Sequence, residues 1–389
     1  MALAELSRTP GQALRIGIDA RLVTYRRGMG NYAYNLLQEF ARRDDAHSFV
    51  LYVDHRDALE ILPSHPRFET VLLRPRLYPI WEQMRLAARV RQDGLDILHC
   101  PSNTGPLGNL GATRLVVTIH DVMYLMSRAK LPVSPSAYQH LGRLYRSVIV
   151  PRVALRASRI ITDSERSAAD IHEHLNLGST PVDVVYLAAN AACRLISDES
   201  EVGRICRTLG VQRPFVLAPG AVDPRKNTER VLAAFAYARD AIGIGTELVL
   251  FGLTPAGRRR FEAMANTLRI ADSVRMLGFV SEDQLTGLYN GCRAFLYPSL
   301  YEGFGMPVLE AMTCGAALAT ANAGSLPEIA GNIAEYADPL DVESIASALI
   351  RAIEKDTPAR RAAAVARAER FTWAEAAALT VASYEDAAR

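Results

Sequence analysis

Two carboxylates eight positions apart, Glu302 and Glu310, bracket a Gly303-Phe304-Gly305 loop and a proline, Pro307. A proline suits the first position of a helix, where its missing N–H is no loss, and Gly315 suits the position just past the end. Glu302 is then expected on the loop before the helix and Glu310 near the end of its first turn. Both can face the helix N-terminus, where unbonded backbone N–H groups and the positive end of the dipole receive anions or hydroxyls. A phosphorylated sugar would fit such a site. Acidic residues also gather at helix starts for the dipole alone. The strand-like runs Ala294–Tyr297 before and Ala316–Ala321 after weigh for a ligand, because they make a strand-loop-helix-strand unit whose loop amides point outward.

Arg225 and Lys226 follow a strand-like run and a turn. A planar guanidinium and a compact ammonium together suit a diphosphate whose negative charge grows as a bond to it breaks. Cations at a helix start oppose the dipole unless an anion sits between them. Gly28-Met29-Gly30 lies between a strand and a helix, so its amides can cradle a phosphate or simply make a tight turn; the third glycine of a dinucleotide fingerprint is absent. His120 ends the apolar run Leu115–Ile119, where an open parallel sheet places its ligands.

The elements around these residues alternate. Short apolar runs at Leu14–Ile18, Phe49–Val53, Thr70–Leu73, Ile97–His99, Leu115–Ile119, Arg159–Thr162 and Val182–Tyr186 are separated by amphipathic stretches near Asn31–Arg42, Trp81–Arg91 and Ser136–Ala157. The pattern loosens over Leu187–Arg213, and a second series runs from Pro214–Leu217 through Glu247–Phe251 and Ser273–Leu277 to a helix near Val342–Ile353. Such alternation predicts an α/β fold of two Rossmann-like domains facing across a cleft. The expected division is 1–190, a connection 191–213, a second domain 214–370, and a last helix 371–389.

Composition narrows the class. The chain has 389 residues, 49% hydrophobic and 22% charged, as expected of a globular protein with a large core. Its five cysteines form no Cys-x-x-Cys pair and are odd in number, which argues against a disulfide framework or a zinc knuckle. Neither a leader-like apolar region nor a spanning segment is evident, so a cytoplasmic location is expected. Residues 1–190 carry 23 Lys/Arg against 18 Asp/Glu, and the remainder 21 against 24. That excess is too weak for nucleic acid but fits a first half meeting an anionic membrane or acceptor.

Several motifs stand in one order: Ile16-Gly-Ile-Asp19-Ala-Arg21, Gly28-Met29-Gly30-Asn31-Tyr32, Val116-Val-Thr-Ile-His120-Asp121, Asp223-Pro-Arg225-Lys226-Asn227, Leu277-Gly-Phe-Val280, the Glu302/Glu310 stretch, and Leu326-Pro-Glu328. Taken together they resemble the retaining GT-B-fold glycosyltransferases of family 4, over most of the chain. The resemblance implies a last helix that crosses back onto the N-terminal domain. It implies that the Gly28–Gly30 loop, Arg225, Lys226, Val280, Gly303, Phe304, Gly305 and Glu310 bind a nucleotide diphosphate sugar, with Glu310 on the ribose and Glu302 and His120 at the transferred sugar. Asn31, Tyr32 and His99 are candidates for the acceptor side. Many members carry an arginine directly after the glycine at position 220, where this chain has Ala221, and Arg225 is the expected substitute. Metal-dependent glycosyltransferases usually show Asp-x-Asp; the triplet is absent here, so no metal or other cofactor is expected. The implied reaction moves a hexose, mannose from GDP-mannose as first choice, to a glycan or lipid-linked glycan, with UDP-glucose or dTDP-rhamnose as other donors. A nucleotide-sugar epimerase of the same architecture and a non-catalytic binding subunit remain as rivals.

Overall fold

A computed structural model of the chain describes residues 12–25, 28–126, 137–212 and 214–389. Of the positions discussed above, 1–11, Ser136 and Arg213 lie outside them. Two compact units emerge: 12–125, 141–187 and 373–389 form the first, and 188–372, with the described part of 126–140, the second.

Seven parallel strands build the first unit: β1 (Arg15–Asp19), β2 (Ser48–Val53), β3 (Phe68–Leu72), β4 (Ile97–Cys100), β5 (Arg114–Thr118), β6 (Arg159–Thr162) and β7 (Val182–Val184). Their order is β3-β2-β1-β4-β5-β6-β7. A parallel sheet covered on both faces needs near-continuous apolar strands, and Ile16, Ile18, Val50, Leu51, Val116 and Val117 are all buried. Strand order reverses between β1 and β4, which opens a crevice at the carboxyl ends of those strands. The last helix, Trp373–Ala388, packs on the Met29–Arg42 helix and on β4, β5 and β6, as the resemblance implied. Ser383 Oγ donates to Asp183 Oδ2 at 2.8 Å, and Arg159 pairs with Asp386 at 3.0 Å.

The second unit repeats the plan with six parallel strands: β8 (Phe215–Pro219), β9 (Glu247–Phe251), β10 (Val274–Met276), β11 (Ala294–Tyr297), β12 (Leu318–Ala321) and β13 (Glu335–Ala337), in the order β10-β9-β8-β11-β12-β13. Its switch point lies between β8 and β11. Val216, Leu248, Phe235, Leu296 and Leu349 share one core. Two local differences from the sequence reading matter. Within 191–213, Glu199–Thr208 is a helix capped by Asp198 and packed on the Glu282–Gly291 helix, so this segment is built into the second unit. The helix expected at Trp81–Arg91 contains a π-helical turn, Trp81–Leu86, a form concentrated at functional sites.

Candidate functional site

In the second unit the site grows from the two loops that leave β8 and β11. After β8, Asp223 caps a 3₁₀ turn, Pro224–Lys226, its Oδ1 accepting from Arg225 N at 3.0 Å. Asn227 follows in the left-handed region at φ 60°, and its side-chain amide donates to Pro298 O at 2.9 Å and Pro339 O at 2.7 Å. Leu300 N donates to Arg225 O at 2.8 Å. These bonds lock the two loops together. The turn thereby delivers Lys226 to Glu302: Nζ donates to Glu302 Oε1 at 2.7 Å and to the Tyr297 hydroxyl at 2.6 Å. Tyr297 and Ser299 reach the same Oε1 at 2.6 and 2.5 Å. Burial would push the Glu302 carboxyl up, but the Lys226 charge and the hydrogen bonds from Lys226, Ser299 and Tyr297 hold it below the ordinary range. Among the described residues all these contacts fall on Oε1, leaving Oε2 without a protein donor.

The backbone of Glu302 is fixed as well. Its carbonyl accepts from Ser325 Oγ at 3.1 Å, and a Cβ on Gly324, at φ +57°, would lie 2.6 Å from that oxygen. Gly303 and Phe304 continue the loop; the Phe304 ring is buried edge-on against Phe371, with centroids 6.1 Å apart. Gly305, at φ +100°, starts the Met306–Thr313 helix. Met306 rather than Pro307 is its first residue, so Glu310 is one position deeper than the proline suggested. Glu310 receives the Tyr289 hydroxyl at 3.3 Å, and burial pushes it up to about 7. The Arg225 guanidinium folds back on Asp223, with Nη2 to Oδ2 at 2.6 Å. Val280 is buried just ahead of the Ser281/Gln284 capping box of the Glu282–Gly291 helix.

In the first unit Gly28, at φ +50°, precedes the Met29–Arg42 helix, and Met29, Gly30 and Asn31 make its first turn. A Cβ on Gly30 would lie 2.0 Å from Tyr25 O, so only glycine lets the helix start approach that turn. Asn31 O accepts from Asn35 Nδ2 at 2.9 Å. His120 ends the chain leaving β5 and is buried. Nδ1 donates to Asp163 Oδ2 at 2.7 Å and Nε2 to Pro101 O at 3.1 Å, so both nitrogens face acceptors. Burial would push the imidazole down; the Asp163 charge and hydrogen bond and the Pro101 carbonyl hold it above its ordinary value, as an imidazolium. Contact with a sugar hydroxyl therefore requires Nε2 to leave Pro101.

Two of the acceptor-side candidates lie inside the first unit. Tyr32 is buried, its ring standing edge-on to His120 at 4.9 Å and its hydroxyl 3.1 Å from Thr118 Oγ1. His99 is buried between the sheet and the last helix, with Nε2 2.8 Å from Thr118 Oγ1 and Nδ1 2.6 Å from the Tyr384 hydroxyl. Burial and the neighbouring His120 charge push it down to about 3, so it is neutral. Tyr32 faces inward from the Met29–Arg42 helix and His99 from β4, and the last helix packs on both elements.

Sequence reasoning missed the companions of these residues. Asp163 directly follows β6, the neighbour of β5, and could have been found by asking what each strand end carries. Glu82 carried no such signal. Wholly buried, it receives Tyr78, Thr104 and Tyr145 hydroxyls at 2.6 Å each and Gln83 Nε2 at 2.7 Å. Next to Thr104, Asn103 Oδ1 accepts from His120 N at 2.8 Å, so this network reaches the His120 loop. Among the described residues no group of three His, Cys, Asp or Glu side chains is arranged to hold a metal ion.

Comparison with known proteins places these two units. Residues 26–192 match the family described as Glycosyltransferase Family 4, and 207–370 match Glycosyl transferases group 1. The first unit's sequence is thus similar to glycosyltransferase family 4 and the second unit's to glycosyl transferases group 1. Among relatives, the serotype-specific mannosyltransferase WbdA of Escherichia coli is 28% identical over 69% of this chain and 33% of its own length. O-antigen chain mannosyltransferase B of Escherichia coli is 32% identical over 44% of this chain and 45% of its own length. The chain thus spans about a third of the length of the first of these relatives and under half of the second. By structure it is similar to the sucrose-phosphate synthase of Thermosynechococcus elongatus (TM-score 0.73, 18% identity, 95% of this chain and 98% of that one). Anabaena HepE, solved with UDP and glucose, superposes with a TM-score of 0.71 at 18% identity over 95% of this chain and 99% of that one. Both show the GT-B fold of paired Rossmann-like domains.

Proposed function

We propose that this protein is a retaining, metal-independent hexosyltransferase that moves a sugar, mannose from GDP-mannose as first choice, to a hydroxyl of a glycan or lipid-linked glycan. The observation that carries the reading is the Lys226–Glu302 pair, buttressed by Tyr297 and Ser299 at the switch point of the second sheet. An ammonium has three N–H donors, of which Tyr297 and Glu302 take two, and the third serves a phosphate oxygen of the donor. Glu302 Oε2 accepts from a hydroxyl of the transferred sugar, and Glu310 accepts from the ribose. As the glycosidic bond breaks, charge builds on the departing phosphate, where Lys226 and loop amides offset it. That phosphate oxygen takes the acceptor's proton while the acceptor oxygen bonds to the anomeric carbon on the same face. Mannose is favoured by similarity to the mannosyltransferases WbdA and O-antigen chain mannosyltransferase B; the UDP bound to HepE keeps other nucleotides in the test.

Incubation with a panel of nucleotide sugars in EDTA tests the reading. One donor should raise the melting temperature, since ligand at a hundred times its dissociation constant adds about 2.7 kcal/mol. Product NMR should show the donor's anomeric configuration. Lys226→Ala should lower kcat at least about tenfold, equivalent to about 1.4 kcal/mol of barrier, with Glu302→Ala behaving alike. An inverted product, or activity in EDTA restored only by Mg²⁺ or Mn²⁺, would overturn it.

A further inference from the structure

Among the described residues, large apolar side chains are conspicuously exposed at fifteen positions, and seven of these lie on two adjoining segments of the first unit. On the Ala137–Arg156 helix they are Leu141, Leu144, Val148 and Leu155, from 43% to 68% exposed. At 100° per residue these four fall within about 60° of one another, opposite the buried Ile149, Val150 and Val153. Leu77, Ile80 and Met84 make a second stripe, spaced by three and four residues, on the turns around Trp81–Leu86. Tyr145 joins the two: its ring meets Tyr78 at 5.5 Å and its hydroxyl bonds Glu82 at 2.6 Å.

Charge selects the occupant. The 137–156 segment contains four arginines and no acidic residue. Arg152 and Arg156 are exposed beside its stripe, and Arg74, Arg76, Arg85 and Arg91 are exposed along the second segment, whose acids are the buried Glu82 and the Arg89-paired Asp93. An apolar face rimmed by arginines, on a helix that lies along the surface, is the pattern of interfacial helices on anionic lipid. A second copy of the chain would bring the same positive rim against itself. Among the described residues no helix is long and apolar enough to cross a membrane, so contact would be peripheral.

We infer that this two-helix face docks the protein on an anionic lipid bilayer. The test reads binding alone, so it stands or falls separately from the transfer reading. The full chain is floated with phosphatidylcholine vesicles with or without phosphatidylglycerol. It should float with the anionic vesicles and be released by high salt. Leu141→Gln/Leu144→Gln/Val148→Gln should lower partition at least tenfold. Arg85→Gln/Arg152→Gln should lower it more than tenfold at low salt, about fivefold per arginine. Ile244→Ser, an exposed apolar change on the second unit, should leave it unchanged. Parental flotation by the triple variant, or equal binding to neutral vesicles, would overturn the inference. So would a dimer in sedimentation velocity that only the triple variant loses, because the face would then serve self-association.

Discussion

Glu302 and Glu310 are two carboxylates with opposite electrostatic settings. Glu302 sits among an ammonium and two hydroxyls and stays ionised, while Glu310, half-buried beside the Tyr289 hydroxyl, is pushed by desolvation from 4.5 to about 7. Between those values folding holds a proton on Glu310 that the unfolded chain releases, so ligand-free stability falls as pH rises through this window. Glu310→Gln removes that loss, roughly 1.4 kcal/mol per pH unit at most. Its melting temperature should therefore gain on the parent between pH 5 and pH 8. If the ionised carboxylate accepts from ribose, parental affinity for nucleotide should rise over the same window and the variant's should not, as titration calorimetry would show. A flat parental profile would remove Glu310 from the nucleotide. The sequence made these glutamates legible because they bracket loop glycines and a proline. Tyr297 and Ser299 were not legible, since a strand's last tyrosine and a loop serine carry no label until the fold aims them at Oε1.

Elements aim these side chains through backbone contacts that only the fold reveals. Strand and helix types were readable because parallel strands are apolar along their length and helices are not, and ends were off by a residue or two where caps decide them. Strand order was implied by alternation and resemblance, but the pairing of His120 with Asp163 depends on β5 lying beside β6. Gly324 gives a test at this scale. Alanine there meets the carbonyl of Glu302 at 2.6 Å, whereas alanine at Gly94, with a similar φ of +60°, meets nothing within 4 Å. Both substitutions should cost about 1–2 kcal/mol for the left-handed backbone. Only Gly324→Ala should lose more than that in denaturant titration and also lower kcat, because the loop carrying Glu302 must shift. Equal losses at the two positions would mean the 322–326 turn does not position Glu302.

At the scale of the whole molecule, the chain ends in the unit where it begins. Trp373–Ala388 completes the first unit, with Tyr384 over His99, Ser383 on Asp183 and Asp386 on Arg159. Neutral His99 has one donor and one acceptor nitrogen, and the Tyr384 and Thr118 hydroxyls satisfy one each. Tyr384→Phe leaves Nδ1 buried without a partner, which costs about 1–3 kcal/mol. The loss belongs to the first unit alone, because every partner of this helix named above lies there. Calorimetry should show one transition lowered and the other unmoved, and nucleotide binding assigned to the second unit should persist. Truncation after Thr372 removes the buried Ala376, Ala377 and Val381 and exposes the sheet face they cover, so it should abolish the first transition outright. A truncated chain that kept both transitions would show the first sheet stable without its last helix, and the return of the chain would then need another explanation than folding.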